Sequence, residues 1–138
     1  VSFINDSVST TPESAAAAAE AFGGTAVMIM GGYDKDIELN TAVKAAVKHC
    51  AGAVFIGETG TAMAEAAEKS ASKEFFCARA ETLEQAVRTA FAAAEQRGGG
   101  EVVLSPACAS YDMFDNYEHR GRVFTDTVRQ LKEDHEGA

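Results

Sequence analysis

Residues 26–32 read AVMIMGG: five apolar side chains in a row, then two glycines. The run has no polar alternation, so both faces of any strand it forms must be covered. That pattern belongs to a buried strand of a parallel sheet, not to an antiparallel strand with one wet face. Working outward, the same unit recurs. Phe3-Ile4 begins a short strand that ends near Asn5, and Ala53-Val54-Phe55-Ile56 is a third that ends at Gly57. Phe75-Phe76-Cys77 is a fourth and Val102-Val103-Leu104 a fifth.

Helical segments separate these runs. Thr11-Pro12-Glu13 opens the first, with Thr11 as cap, Pro12 at the first helical position and an acid in the first turn. That helix carries Ala15–Phe22 and stops at Gly23-Gly24. Leu39, Val43, Ala46, Val47 and Cys50 recur at helical spacing, and Thr59 or Thr61 opens a helix holding Met63, Ala66 and Ala67. Thr82 caps a stripe of Leu83, Ala86, Val87, Ala90, Phe91 and Ala94. Val123, Phe124, Thr127, Val128 and Leu131 line a last helix, whose end from Asp134 to Ala138 is expected to fray. Strands alternating with helices predict one open α/β domain with a mostly parallel sheet.

Length and composition agree with that reading. The 138 residues suit one domain that buries roughly two-thirds of its unfolded surface without a metal or disulfide staple. Alanine dominates the apolar residues and tryptophan is absent, which favours helices packed closely on the sheet. A net charge of −9 argues against a nucleic-acid or anionic-membrane surface. No apolar run approaches the ~18–20 residues of a membrane helix. Cys50, Cys77 and Cys108 are widely spaced and form no CxxC pair, so reduced thiols and a cytoplasmic location are expected. The chain opens VSFINDS, with neither a methionine nor a charged leader, and is expected to be a piece of a longer polypeptide.

In a parallel sheet, ligands bind beyond the carboxyl ends of the strands. Three of the following segments are rich in binding groups. Asp6-Ser7-Val8-Ser9-Thr10-Thr11 sets a carboxylate and four hydroxyls before a helix N-terminus, which suits an anion, although hydroxyls are also ordinary caps. Gly31-Gly32-Tyr33-Asp34-Lys35-Asp36 places a lysine in a glycine-opened loop, where it either meets an anion or is solvated beside its acids. Ser105-Pro106-Ala107-Cys108-Ala109-Ser110-Tyr111-Asp112 is small and polar, followed by Phe114, Tyr117, Glu118, His119, Arg120 and Gly121. Cys108 and His119 as a thiol–imidazole pair lack an orienting group, and as zinc ligands they lack two partners. His49 and His135 read as residues of solvated helix faces. Neither GGYDK nor GETGT has phosphate-loop or dinucleotide spacing.

The stretches NDSVSTTPES (5–14), GGYDK (31–35) and SPACASYDMFDNYEHRG (105–121) resemble, in order, the C-terminal domain of the Mur ligase family. FIGETG (55–60) fits the same domain more loosely. The closest form is that of the ligases that add D-glutamate to UDP-N-acetylmuramoyl-L-alanine in peptidoglycan synthesis. The resemblance spans essentially the whole chain, residues 1–138. It implies a Rossmann-like sheet of five to six strands flanked by helices. It also implies that this is one domain of a three-domain enzyme whose missing parts hold the UDP sugar, ATP and Mg2+. ATP would phosphorylate the substrate carboxylate, and the amine of D-glutamate would attack the acyl phosphate. By motif position, Thr10 and Lys35 would hold the α-carboxylate of D-glutamate. Ser110 and the backbone around Tyr111 and Tyr117 would hold its side-chain carboxylate, and Asp6 would lie near the ATP ribose. No catalytic residue or metal ligand is expected in this domain, and without a P-loop it is expected to be inactive alone.

The sequence departs from the family's common DSKATN form. Val8 stands in place of a lysine, Ser9 of an alanine and Thr11 of an asparagine. Tyr117 replaces a frequent phenylalanine, and Tyr111 a frequent leucine or phenylalanine. A sibling ligase for another amino acid and a free-standing α/β binding module are the alternatives. The ligase reading requires Thr10, Lys35 and Ser110 to gather on one edge of the sheet.

Overall fold

A computed structural model describes residues 1–32, 40–70, 74–108, 110 and 113–136. Five strands form one sheet: β1 (Ser2–Asn5), β2 (Ala26–Gly31), β3 (Gly52–Ile56), β4 (Phe76–Arg79) and β5 (Glu101–Leu104). Five α-helices join or follow them: α1 (Pro12–Phe22), α2 (Asn40–His49), α3 (Gly60–Ser70), α4 (Leu83–Gln96) and α5 (Tyr117–Glu136).

All pairings are parallel, in the order β1-β5-β2-β3-β4. Val102 of β5 sits opposite Phe3 of β1 on one side and Val27 of β2 on the other. The chain steps in one direction from β1 through β2 and β3 to β4, then returns across the sheet to β5. Crossovers are right-handed, so reversing the direction of travel moves the connecting helix to the opposite face. Hence α1, α2 and α3 cover one face and α4 and α5 the other. The two cores confirm this. Met28, Met30, Phe55 and Val103 pack with Ala15, Ala19, Val43, Ala46 and Met63. Val27, Ile29, Val54, Val102 and Leu104 pack with Leu83, Val87, Phe124 and Leu131. Every residue of β2 and β3 is buried, as the unbroken apolar runs require.

The caps form as read. Thr11 accepts from the Ser14 N–H through its hydroxyl, and Thr82 accepts from the Gln85 N–H. Two elements differ from expectation. β4 begins one residue later and runs to Arg79, because its ladder with β3 pairs Gly52 with Phe76 and Phe55 with Arg79. As an edge strand it is only half-buried, and the short apolar run understates it. α5 begins at Tyr117, upstream of its apolar stripe, and continues to Glu136. Asn116 starts it: its Oδ1 accepts from the His119 N–H at 2.7 Å. Among the described residues no helix is long and apolar enough to cross a membrane.

Candidate functional site

β1 and β2 lead into helices on one face, whereas β5, lying between them, leads into a helix on the other. The chain ends part at this point and leave a crevice above β5. The three segments that border it are those beginning at Asp6, Gly31 and Ser105.

These segments are tied to one another. The Asp6 N–H extends the ladder to the Leu104 carbonyl at 2.8 Å. Ser105 Oγ lies 3.0 Å from both Asp6 Oδ2 and Ser9 Oγ, joining the first loop to the last. The Ala107 N–H donates to the Ser9 carbonyl at 3.0 Å. Gly31 donates to the Pro106 carbonyl at 2.8 Å, which fixes the start of the middle loop to the last one. Gly32 donates to Thr59 Oγ1 and its carbonyl accepts from the Thr59 N–H, both at 3.1 Å. Ala107 holds a positive φ of 69° while fully buried. That is an unfavourable conformation for a side-chain-bearing residue, and the two loops on either side hold it in place.

The α5 helix reaches into this framework through Arg120, which is 1% exposed. Its Nε donates to Ser7 Oγ at 3.0 Å, its Nη2 to the Ser7 carbonyl at 2.8 Å and its Nη1 to the Cys108 carbonyl at 3.0 Å. Ser7 Oγ in turn donates to the Tyr117 carbonyl at 2.6 Å. Gly121 lets α5 come this close, because a Cβ there would stand 3.1 Å from the Asn5 amide nitrogen.

Of the residues singled out from sequence, Thr10 and Ser110 lie in the loops after β1 and β5, which are neighbours on this edge. Thr10 is half-buried, and its hydroxyl has no hydrogen-bond partner among the described residues. Ser110 is 2% exposed, and its carbonyl accepts from the Met113 and Phe114 N–H groups. Asp6 is half-buried and its carboxylate accepts from Ser105. Tyr117 is 42% exposed and is the first residue of α5, where N–H groups lack intrahelical partners. Lys35 and Tyr111 lie outside the described residues. Gly31 and Gly32, which lead to Lys35, are placed at the same edge.

Cys108 is buried with Sγ 3.5 Å from Thr59 Oγ1, whereas His119 Nδ1 accepts from the Asp115 N–H and its ring meets Phe114 edge-on. The thiol and the imidazole address different neighbours. His49 is half-buried, and the side chain of His135 lies outside the described residues. Among the described residues no group of three or more His, Cys, Asp or Glu side chains is arranged to hold a metal ion. A groove of about 530 Å3 lies between α5 and the first loop, with Ser7, Val8 and Tyr117 in its lining. Val8, 63% exposed, stands on its rim.

Sequence reasoning named Arg120 but gave it no task, and it overlooked Ser105 and Thr59 as binders of the loops. For Arg120 a signal existed. It lies four residues before Phe124, on the same stripe as Val128 and Leu131, so a helix begun at Tyr117 turns it inward.

A family described as "Mur ligase, glutamate ligase domain" matches residues 1–108. The chain belongs to that family. Relatives named UDP-N-acetylmuramoylalanine--D-glutamate ligase match nearly all of it. The one from Thermoanaerobacter sp. (strain X514) is 41% identical over 132 residues, covering 96% of this chain and 29% of the relative. The one from Bordetella pertussis is 40% identical over 131 residues, covering 95% and 25%. The chain thus spans less than a third of the length of these curated relatives. Among solved structures, Mycobacterium tuberculosis folylpolyglutamate synthase, complexed with ADP and AMPPCP, aligns with a TM-score of 0.57 at 16% identity. It covers 83% of this chain and 28% of that one, a likeness of fold. The family and the α/β fold expected from the three motifs are therefore established.

Proposed function

We propose that this chain is the amino-acid-binding domain of a longer ATP-dependent ligase that adds D-glutamate to UDP-N-acetylmuramoyl-L-alanine. The observation that carries the reading is the joining of the three motif-bearing loops above β5, through Ala107 to Ser9, Ser105 to Asp6 and Gly31 to Pro106. The relatives' shared name favours the D-glutamate form over a sibling ligase.

In this reading Thr10 and Lys35 hold the α-carboxylate of D-glutamate. Ser110 and the N–H groups near Tyr111 and Tyr117 hold the side-chain carboxylate. The half-buried Thr10 hydroxyl supports this, since it is left available at the start of α1. Two fixed carboxylates orient the amine toward the acyl carbon, and such orientation contributes ~7–11 kcal/mol in favourable cases. The remainder of the protein binds ATP and the UDP sugar, and Mg2+ bound there with ATP supplies charge neutralisation of the phosphates. ATP transfers its γ-phosphoryl group to the substrate carboxylate and leaves as ADP. The amine displaces phosphate from the acyl phosphate, forming the amide with loss of a proton. Asp6 faces the nucleotide side, and the reaction takes place in the cytoplasm.

The test is phosphate release by the full-length protein given UDP-N-acetylmuramoyl-L-alanine, ATP and either D- or L-glutamate. Release is expected with D-glutamate alone. Lys35→Ala should raise the KM for D-glutamate roughly tenfold or more, the worth of a charge-assisted hydrogen bond. Equal release with both enantiomers, or none with either, overturns the reading.

A further inference from the structure

Arg120 is the bulkiest fully buried side chain among the described residues, and its guanidinium donates to Ser7 and Cys108 in two different loops. We infer that it is a positioning residue for the amino-acid site, setting the distance between the loop that carries Thr10 and the loop that carries Ser110. The inference rests on the function proposed above. Ser7 lies three residues before Thr10, and Cys108 two residues before Ser110. A single planar guanidinium therefore links the loops that carry the two halves of the proposed dicarboxylate site, with Nε and Nη2 on one loop and Nη1 on the other.

Attachment of α5 does not need this contact. Phe124, Val128 and Leu131 already bury the helix on the sheet. Asn5 Nδ2 donates to the Gly121 carbonyl at 3.0 Å and to Thr125 Oγ1 at 3.2 Å. For stability alone, a hydrophobic residue of similar volume serves at least as well as a buried cation, whose desolvation is costly. What the guanidinium supplies, and a hydrophobe does not, is several directional donors in a rigid fork. It touches no substrate in this arrangement. Its effect reaches the ligand through the two loops, and so it acts chiefly on binding of the amino acid and less on the nucleotide, which meets only Asp6 of the first loop.

The experiment uses the full-length protein, with phosphate release as the assay and thermal unfolding alongside. Arg120→Lys keeps the charge but loses the fork. It should raise the KM for D-glutamate about tenfold or more, as expected when hydrogen bonds to a charged group are lost, with a smaller change in the KM for ATP and the lower thermal midpoint that follows when buried acceptors lose their donors. Ser7→Ala removes one acceptor of the fork from a small buried side chain, and it should move the same KM in the same direction. It also serves if Arg120→Lys fails to fold. Because both act through one link, the double variant should show less than the product of the two effects. An unchanged KM for D-glutamate in both variants overturns the inference while the wild type remains an active ligase. So does a loss that falls equally on ATP and D-glutamate, which marks a structural role only. A wild type without D-glutamate-dependent release instead overturns the functional reading, and this inference with it.

Discussion

A Cβ on Gly121 would meet the Asn5 amide nitrogen at 3.1 Å and the Ser7 Cβ at 3.3 Å. Replacing a mid-helix glycine by alanine ordinarily stabilises by about 1 kcal/mol. Here the added methyl must push α5 off β1 and the first loop. Gly121→Ala is expected to destabilise by about 1–3 kcal/mol, as overpacking does, measured by urea unfolding. Gly31 is a stricter case, with φ at 116° and a Cβ that would overlap the Ile56 carbonyl. The sequence shows both glycines, but what crowds them comes from strands and loops far along the chain. Cys50 responds to its surroundings in another way: burial, and then the Glu101 carboxylate, pushes its thiol from 9.0 up to about 11. The folded state thus favours the neutral thiol. Its contribution to stability is fully present below pH 9 and is lost as pH rises through about 11. Between those values Cys50→Ala should show a flatter decline in stability than the parent, measured by urea unfolding at each pH.

At the scale of elements, two threonines read alike in sequence but do different things. Thr82 caps α4, with its hydroxyl accepting from the Gln85 N–H at 3.1 Å. Thr59 precedes α3, yet its hydroxyl accepts from the buried Gly32 N–H, across 27 positions of sequence. Thr82→Ala should cost about 1 kcal/mol, the worth of an N-cap. Thr59→Ala should cost more, about 1–3 kcal/mol, because it leaves a buried donor unpaired. Urea unfolding of the two variants side by side checks the order. Caps are legible because they depend on residues three apart. A cross-loop bond is not, because nothing near Thr59 in sequence names Gly32. The boundaries of β4 and α5 went astray for the same reason: an edge strand's ladder and an asparagine cap extend past the apolar residues that advertise them.

Across the whole molecule, the layer formed by α1, α2 and α3 is lined largely by alanine, and Ala15, Ala19, Ala42 and Ala46 are fully buried. These short side chains let the helices lie close to the sheet and to one another. Ala19→Leu should destabilise by about 1–3 kcal/mol, since a close-packed layer has no room for extra methylenes. Unfolding in urea, compared with the same change at the exposed Ala62, reads out the difference. The sequence alone determined the α/β class, the parallel sheet and the three motif loops, because unbroken apolar runs, helical stripes and caps are local physics. It carried the family too, in stretches long enough to be specific. The tertiary structure alone decided that β5 lies between β1 and β2, which is what brings the loops of Thr10 and Ser110 side by side. It alone brought the inward side of α5, and Arg120 with it, onto Ser7, 113 positions away. Strand order and buried polar bonds depend on which distant segments meet, and that is settled only when the whole chain packs.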